Sequence, residues 1–440
     1  MGRGAVQQGQ WRLKGRAGWR KGSVFHPAKD AIMAALGIDF GTSNTAAAVL
    51  VGAQVHLVPL EPGQDTLPTA VFFDAVHKDM LIGAAAVNAL TQGREGRFMR
   101  AMKSVLGTPL IREKKQFGQV RITLMQVIAQ FLAQVKQRAE AHCGQTFDIA
   151  LSGRPVHFHT RDPARDAQAL ADLTECYQMA GFAAVQFMLE PEAAALAANA
   201  GGQKRQGIGL IVDIGGGTSD FTLFQGPRIL ASHGVRVGGT DFDRVLSLAH
   251  VMPLLGKDSQ VRAVFGPQTH TAPVALYHDL ATWAAIAFLY TGETKRAMAQ
   301  MAKLAVEPAK FARLLTVLDM ELGHDIAFAV ERGKIAANRA EGGVIDLSLV
   351  EKGLRVPLGK AQMAAGLDAY AGQIRAAAVE TCAMAGVPTP DVARIVFVGG
   401  SSLMAVVEDA MRAEFPRAAL EYANAFTAVV DGLAIAASAI

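Results

Sequence analysis

Only three cysteines occur in 440 residues, Cys143, Cys176 and Cys382, and they are scattered with no CxxC spacing. An odd, dispersed set argues against a disulfide framework or a thiolate zinc site and suits a reducing cytoplasm. Long apolar runs are missing as well. The best attempt, "ATWAAIAFLY" at 281–290, falls well short of the roughly 20 residues that cross a bilayer and reads as a buried helix, so no membrane partner is expected. There is no GxxxxGK[ST] phosphate loop, since "GKD" at 256 and "GETK" at 292 both fail it. No GxGxxG opens a helix after a strand, which disfavours a dinucleotide fold. Charge is sparse, 19% of residues with a net of +4, and unevenly placed. Residues 1–32 hold seven Lys and Arg against the single acid Asp30, a net of +6 that leaves the rest of the chain at −2. That nearly neutral body gives no electrostatic case for nucleic acid.

What is present begins with length. A chain of this size exceeds what one hydrophobic core usually serves, so two or more domains are expected. The basic leader 1–32 lacks the apolar block of a secretory signal and has a composition that seldom supports a fold. It reads as a disordered tail, or as sequence upstream of a true start at Met33.

Two stretches organise the remainder. Residues 35–52 read "ALGIDFGTSNTAAAVLVG", and residues 208–225 read "IGLIVDIGGGTSDFTLFQ". Each runs from an apolar strand through an aspartate (Asp39, Asp213) into a Gly, Thr and Ser turn and a second apolar strand. Asp39-Phe40-Gly41-Thr42-Ser43 answers Asp213-Ile214-Gly215, with Gly217-Thr218-Ser219 one turn later. A separation of 174 residues is too long for a solenoid and suits two duplicated α/β lobes. Glycine lets backbone approach an anion and adopt positive φ. An aspartate cannot face phosphate directly, but it fits if a divalent cation lies between them. Two such hairpins facing one another would grip a Mg-triphosphate. One Asp-x-Gly turn alone is only a turn; the duplication is the signal. A third glycine turn follows the buried strand Ile395–Val398 in "ARIVFVGGSSLMAVVEDAMRAEF", where Gly399-Gly400-Ser401 and a helix N-terminus offer a shelf for a nucleoside.

Taken together these motifs resemble the actin, sugar-kinase and heat-shock ATPase superfamily, and most closely the DnaK-type 70-kDa heat-shock chaperones. "GIDFGTSNT" and "VDIGGGTSDFTLF" resemble that family's two phosphate motifs, and "VGGSS" its adenosine motif. "LEPEAAALAA" at 189–198 is similar to its connecting segment, "VGGTDFDRVL" at 237–246 to its LGGEDFDNRL, and "MKSVLG" at 102–107 to its KRLIG. The resemblance runs in order over about residues 34–440. It implies an α/β, actin-like ATPase fold of two duplicated ribonuclease-H-like lobes around a nucleotide cleft, with ATP or ADP and Mg2+ as cofactors. Lobe I would span 33–205, and lobe II 206–440 with a variant small lobe at about 245–345.

Carried over residue by residue, the resemblance implies that Asp39 and Asp213 hold Mg2+ largely through its waters. Gly41, Thr42, Ser43, Asn44 and Gly215, Gly216, Gly217 and Thr218 would contact phosphates. Lys103 would lie beside the γ-phosphate and attacking water, and Glu190 would orient that water. Gly238, Gly239, Glu331, Lys334, Asn338, Gly399, Gly400 and Ser401 would line the nucleoside end, and Pro155 would stand where the family has an interdomain switch proline. Plainer readings stay open. Lys103 follows Arg97 and Arg100 in a basic stretch that reads as a solvated helix face, and Glu190-Pro191 could simply start a helix. His157 and His159 in "PVHFHT" alternate along an expected strand and read as exposed rather than as metal ligands.

Departures from the family fall at the adenine end. Its ERAKRTLS helix is "ERGKIAAN" here, so the arginine that lies over the base is Ile335 and the last serine is Asn338; weaker or less base-selective binding is expected. Thr240 replaces the acid of GGEDFD, and residues 251–325 match poorly but look helical. After the last motif one Ala-rich helix, roughly 425–440, closes the sequence. That ending resembles the short, YegD-like members, which carry the ATPase half without a peptide-binding domain. The function so implied is that of an ATP-hydrolysing, chaperone-type protein whose partners are nucleotide and unidentified clients or co-chaperones. A filament-forming actin-like scaffold, a small-molecule kinase of the same fold and a nucleotide sensor with little turnover remain as rivals.

Overall fold

The computed structural model describes residues 35–117, 120–159, 162–200, 207–226, 228–339, 342–422, 427–438 and 440. The leader 1–32 and the candidate start Met33 lie outside the described residues. The chain divides into two units, one of residues up to 203 together with 426–440, the other of 204–425.

The first unit is built on strands β1 (Ala35–Phe40), β2 (Asn44–Val51), β3 (Gln54–Leu57), β4 (Ile149–Arg154) and β5 (Ala184–Leu189), in the spatial order β5-β4-β1-β2-β3. β1, β2 and β3 form an antiparallel meander, while β1, β4 and β5 run parallel. Parallel neighbours need crossovers, and helices supply them: α1 (Leu124–Cys143) precedes β4, α2 (Pro163–Met179) precedes β5, and α3 (Glu190–Ala200) follows it. α1 is well specified locally. Thr123 and Gln126 form a capping box at its start, and Gly144 ends it at φ 68°. Its buried face repeats at helical spacing through Leu124, Ile128, Phe131, Val135 and Ala139. Phe131 meets Phe40 of β1 with ring centroids 5.9 Å apart.

The second unit repeats the plan. Strands β6 (Ile208–Ile214), β7 (Ser219–Gln225), β8 (Arg228–Val235), β9 (Val392–Val398) and β10 (Ala419–Tyr422) lie in the order β8-β7-β6-β9-β10. Again three strands form an antiparallel meander and the last two run parallel to the first. Between β8 and β9 come α4 (Gly239–Leu246), a mostly helical insert, α5 (Gly323–Arg339) and α6 (Lys360–Met384); α7 (Ala405–Glu414) connects β9 to β10. The expected duplication of two α/β lobes is therefore present strand for strand.

Four local expectations are corrected. The C-terminal helix, Ala428–Ala437, belongs to the first unit and not the second, because its small residues allow close packing on β1 and α3. A Cβ at Gly432 would fall 1.8 Å from the Ala193 carbonyl oxygen, and one at Gly37 would fall 3.0 Å from Ala434 N. The insert at 251–325 is not wholly helical: it contains the hairpin Gln260–Arg262 with Thr269–Thr271, and 281–290 is a chain of turns with one 3-10 turn at Ile286–Phe288. Arg97 and Arg100 lie on a strand, Gly96–Arg100, paired with Ala70–Asp74, so no basic helix leads into Lys103. His157 and His159 follow the end of β4 and do not alternate along a strand.

Candidate functional site

In each unit the acidic turn takes the same form. Phe40 pairs with Thr45 and Ile214 with Ser219, so each hairpin closes through four residues, Gly41-Thr42-Ser43-Asn44 in one and Gly215-Gly216-Gly217-Thr218 in the other. Asp39 and Asp213 each stand one residue before the strand end, opposite Ala46 and Asp220. This register aligns Thr218 with Asn44 and Ser219 with Thr45, which corrects the offset read from the sequence. Glycine opens both turns for a steric reason in the first: a Cβ at Gly41 would lie 2.3 Å from the Asn44 carbonyl oxygen.

Around Asp39 the first unit gathers Lys103 and Glu190. Lys103 sits in a 3-10 turn, Met102–Val105, entered through Ala101 at φ 59°. Its ammonium donates to Glu190 Oε1 at 2.6 Å, with both side chains nearly buried, 7% and 11% exposed. The solvated-face reading of Lys103 therefore fails. Glu190 does open α3, as its Pro191 neighbour suggested. Burial, and then the charge of Glu190, push the Asp39 carboxyl up to about 7, with Lys103 pulling the other way. Two acids against one base leave a deficit of positive charge, and hard oxygen donors in that condition suit a divalent cation. Among the described residues no group of three or more His, Cys, Asp and Glu could alone hold a metal ion.

The second unit brings three glycine motifs together. Gly239 N and Thr240 N donate to the carbonyl oxygens of Gly215 and Gly216 at 2.9 and 2.8 Å, and the Thr240 hydroxyl donates to Gly216 O at 2.7 Å. Thr240, in place of the expected acid, thus braces the glycine turn after β6. Gly238 leaves no room for a Cβ, which would fall 2.5 Å from Gly217 N. Gly399, at φ 79°, presses on the end of β6, where a Cβ would lie 2.4 Å from Ile214 O and 2.7 Å from Asp213 Oδ1. A Cβ at Gly239 would lie 2.3 Å from Ser401 Oγ. A 3-10 turn, Gly400–Leu403, separates β9 from α7, so the helix does not follow the glycines directly.

On α5, Lys334 and Asn338 are engaged by protein partners. Lys334 Nζ lies 2.7 Å from Asp243 Oδ1, both side chains being buried, and it donates to Gly239 O at 3.4 Å. Trp283 Nε1 donates to Asp243 Oδ2 at 3.2 Å. Burial pushes the Asp243 carboxyl up and Lys334 holds it back. Asn338 Nδ2 donates to Leu403 O at 2.9 Å, and its Oδ1 accepts Ala405 N at 2.8 Å, so it caps the start of α7. Glu331 lies one turn before Ile335 on the same helix, and Ile335 is 41% exposed. Asp243 and Trp283 were missed from sequence; the second acid of "GTDFD" was the available signal for Asp243, while Trp283 lies in the poorly matching insert.

Two units with one strand order, each carrying an aspartate one residue before the end of its first strand and then a four-residue turn, define the actin-like ATPase fold. The family model described as "Hsp70 protein" matches residues 35–263, just over half of the chain. Similar proteins include a "Chaperone protein DnaK" of Endomicrobium trichonymphae, 32% identical over 48% of this chain and 34% of its own length. A "Chaperone protein DnaK" of Methanothermobacter thermautotrophicus is 31% identical over 48% of this chain and 35% of its own. A "Chaperone protein HscA homolog" of Rickettsia bellii is 26% identical over 50% and 38%. The chain belongs to the Hsp70 family. It spans little more than a third of the length of the curated relatives it matches.

Proposed function

We propose that this chain binds Mg-ATP and hydrolyses its terminal phosphoanhydride with a positioned water, in a chaperone-type role in the cytoplasm. The observation that carries the reading is the duplicated acidic hairpin, with Asp39 and Asp213 at one register position before turns of one length. In this reading a single nucleotide engages both turns. Backbone amides and hydroxyls of Thr42, Ser43, Asn44 and Gly215 to Thr218 meet the phosphates. Bound Mg2+ neutralises phosphate charge, and Asp39 and Asp213 hold its water shell. Lys103 stabilises charge as phosphate leaves, and Glu190 holds the Lys103 ammonium and orients the water. Clients and co-chaperones are protein partners of unspecified sequence; no helix among the described residues is long and apolar enough to cross a membrane.

The test is steady-state ATP hydrolysis with Mg2+, comparing the parent with Lys103→Ala and Asp213→Ala. Loss in both supports the reading, and hydrolysis indifferent to both sinks the assignment. Transfer of phosphate to an added acceptor would select the kinase alternative, and ATP-dependent sedimentation the filament. One second reading has its own support: Lys103 is already paired with Glu190 and Lys334 with Asp243. A site whose cations are both neutralised fits a nucleotide sensor that binds and barely turns over. Tight binding without hydrolysis in the same assay would favour it.

A further inference from the structure

His159 and Asp172 lie outside the proposed nucleotide residues, yet both reach the turn that carries Lys103. We infer that they are positioning residues, clamping the far end of that turn so that the Lys103 ammonium is fixed in place; this rests on reading Lys103 as the cation beside the leaving phosphate. A single 3-10 turn has few internal hydrogen bonds of poor geometry. Here Ser104 N donates to Ala101 O at 3.1 Å and Leu106 N to Lys103 O at 3.3 Å. Anchors from outside therefore decide how firmly Lys103 is held.

Two such anchors act on consecutive residues. Gly107 N donates to Asp172 Oδ2 at 3.0 Å, and His159 Nε2 lies 2.7 Å from Leu106 O. A carbonyl only accepts, so His159 carries its proton on Nε2. Asp172, on α2, is fully buried, and its other oxygen accepts Arg112 Nη2 and Gln168 Nε2, each at 2.8 Å. Charge-assisted bonds of this kind are stronger than neutral ones. His159 is itself fixed: its backbone N and that of Phe158 donate to Asp166 Oδ1 at 3.2 and 2.5 Å. Gly107, at φ 72°, is pressed into the corner, where a Cβ would lie 2.3 Å from Arg165 O and 3.0 Å from His159 Nε2. The turn thus stands on α2 and on the segment after β4, while its lysine reaches Glu190 on α3.

The experiment compares Asp172→Asn, His159→Leu and His159→Gln with the parent. Acetylation of Lys103 in the nucleotide-free protein is read by peptide mass spectrometry, with amide exchange over 101–107 and the melting midpoint. Asp172→Asn and His159→Leu are expected to speed both reactions about fivefold or more, as a locally opened segment does. They are expected to lower kcat about tenfold or more with KM for Mg-ATP changed less than about twofold. His159→Gln, whose amide can still donate to Leu106 O, recovers most of both. Unchanged labelling and exchange in folded variants overturn the inference, and so does a loosened turn with undiminished kcat. Should Asp172→Asn fail to fold, the His159 pair decides alone. A loosened turn in a protein whose parent does not hydrolyse ATP leaves the clamp standing and removes the hydrolase reading instead.

Discussion

Half-buried beside Glu190, the Asp39 carboxyl holds its proton up to about 7, against 3.8 in a free chain. Below 3.8 both folded and unfolded forms are protonated, so Asp39 contributes nothing there. Between those values the unfolded state has lost the proton and the folded state keeps it, so stability falls as pH rises through the window. Above 7 the penalty is complete. Asp39→Asn is therefore expected to stabilise the metal- and nucleotide-free protein at pH 8 by on the order of 4 kcal/mol, with the gain shrinking toward zero near pH 4. Denaturant titrations of both proteins at the two pH values check it, and equal differences at both would reject it. Lys103→Ala should act in the opposite sense. It leaves Glu190 buried without its 2.6 Å partner, and breaking a buried pair costs about 3–5 kcal/mol. Lys103→Ala with Glu190→Gln should recover most of that loss, which a double-mutant cycle would show.

At the scale of elements, what the sequence disclosed and what it hid have a common physical cause. β1 with β2 and β6 with β7 were legible because alternating constraints converge there: an apolar strand, an acid, then glycine where backbone must turn. Lys103 was assigned a helix because Arg97 and Arg100 sit six and three residues before it. Tertiary pairing with Ala70–Asp74 overrode that spacing. His159 was read as exposed because nothing local announces that its ring meets Leu106 O, 53 residues away in sequence. Asn338 was recognisable only as a departure, yet its amide bridges Leu403 O and Ala405 N, tying α5 to the start of α7. Asn338→Ala removes a side-chain cap, and should lower stability by about 1 kcal/mol and weaken nucleotide binding. Asn338→Ser, the residue the resemblance led one to expect, should restore part of both. Calorimetry with ATP and a melting curve measure the two effects, and an alanine variant neutral in both would show the bridge to be incidental.

For the whole molecule the duplicated acidic turns pose a quantitative question, namely whether they serve one ligand or two. A ligand that binds only the folded state stabilises it by RT ln(1 + [L]/Kd). The rise in melting midpoint with Mg-ATP, less the rise with ATP in chelator, therefore reports the metal-dependent part of binding. If Asp39 and Asp213 each answered to a separate ion, removing one would leave roughly half of that rise. The two losses would then add, as they do for independent sites. If one hydrated Mg2+ needs both carboxylates, either Asp39→Asn or Asp213→Asn should abolish most of the metal-dependent rise. The double variant should then lose little more than the worse single one. The first variant alone changes the charge around Lys103 and Glu190, so the Asp213 variant is the cleaner arm. A coupling energy of at least about 1 kcal/mol in the double-mutant cycle is expected. Strict additivity would separate the two turns into independent sites and remove the basis for a shared Mg-nucleotide.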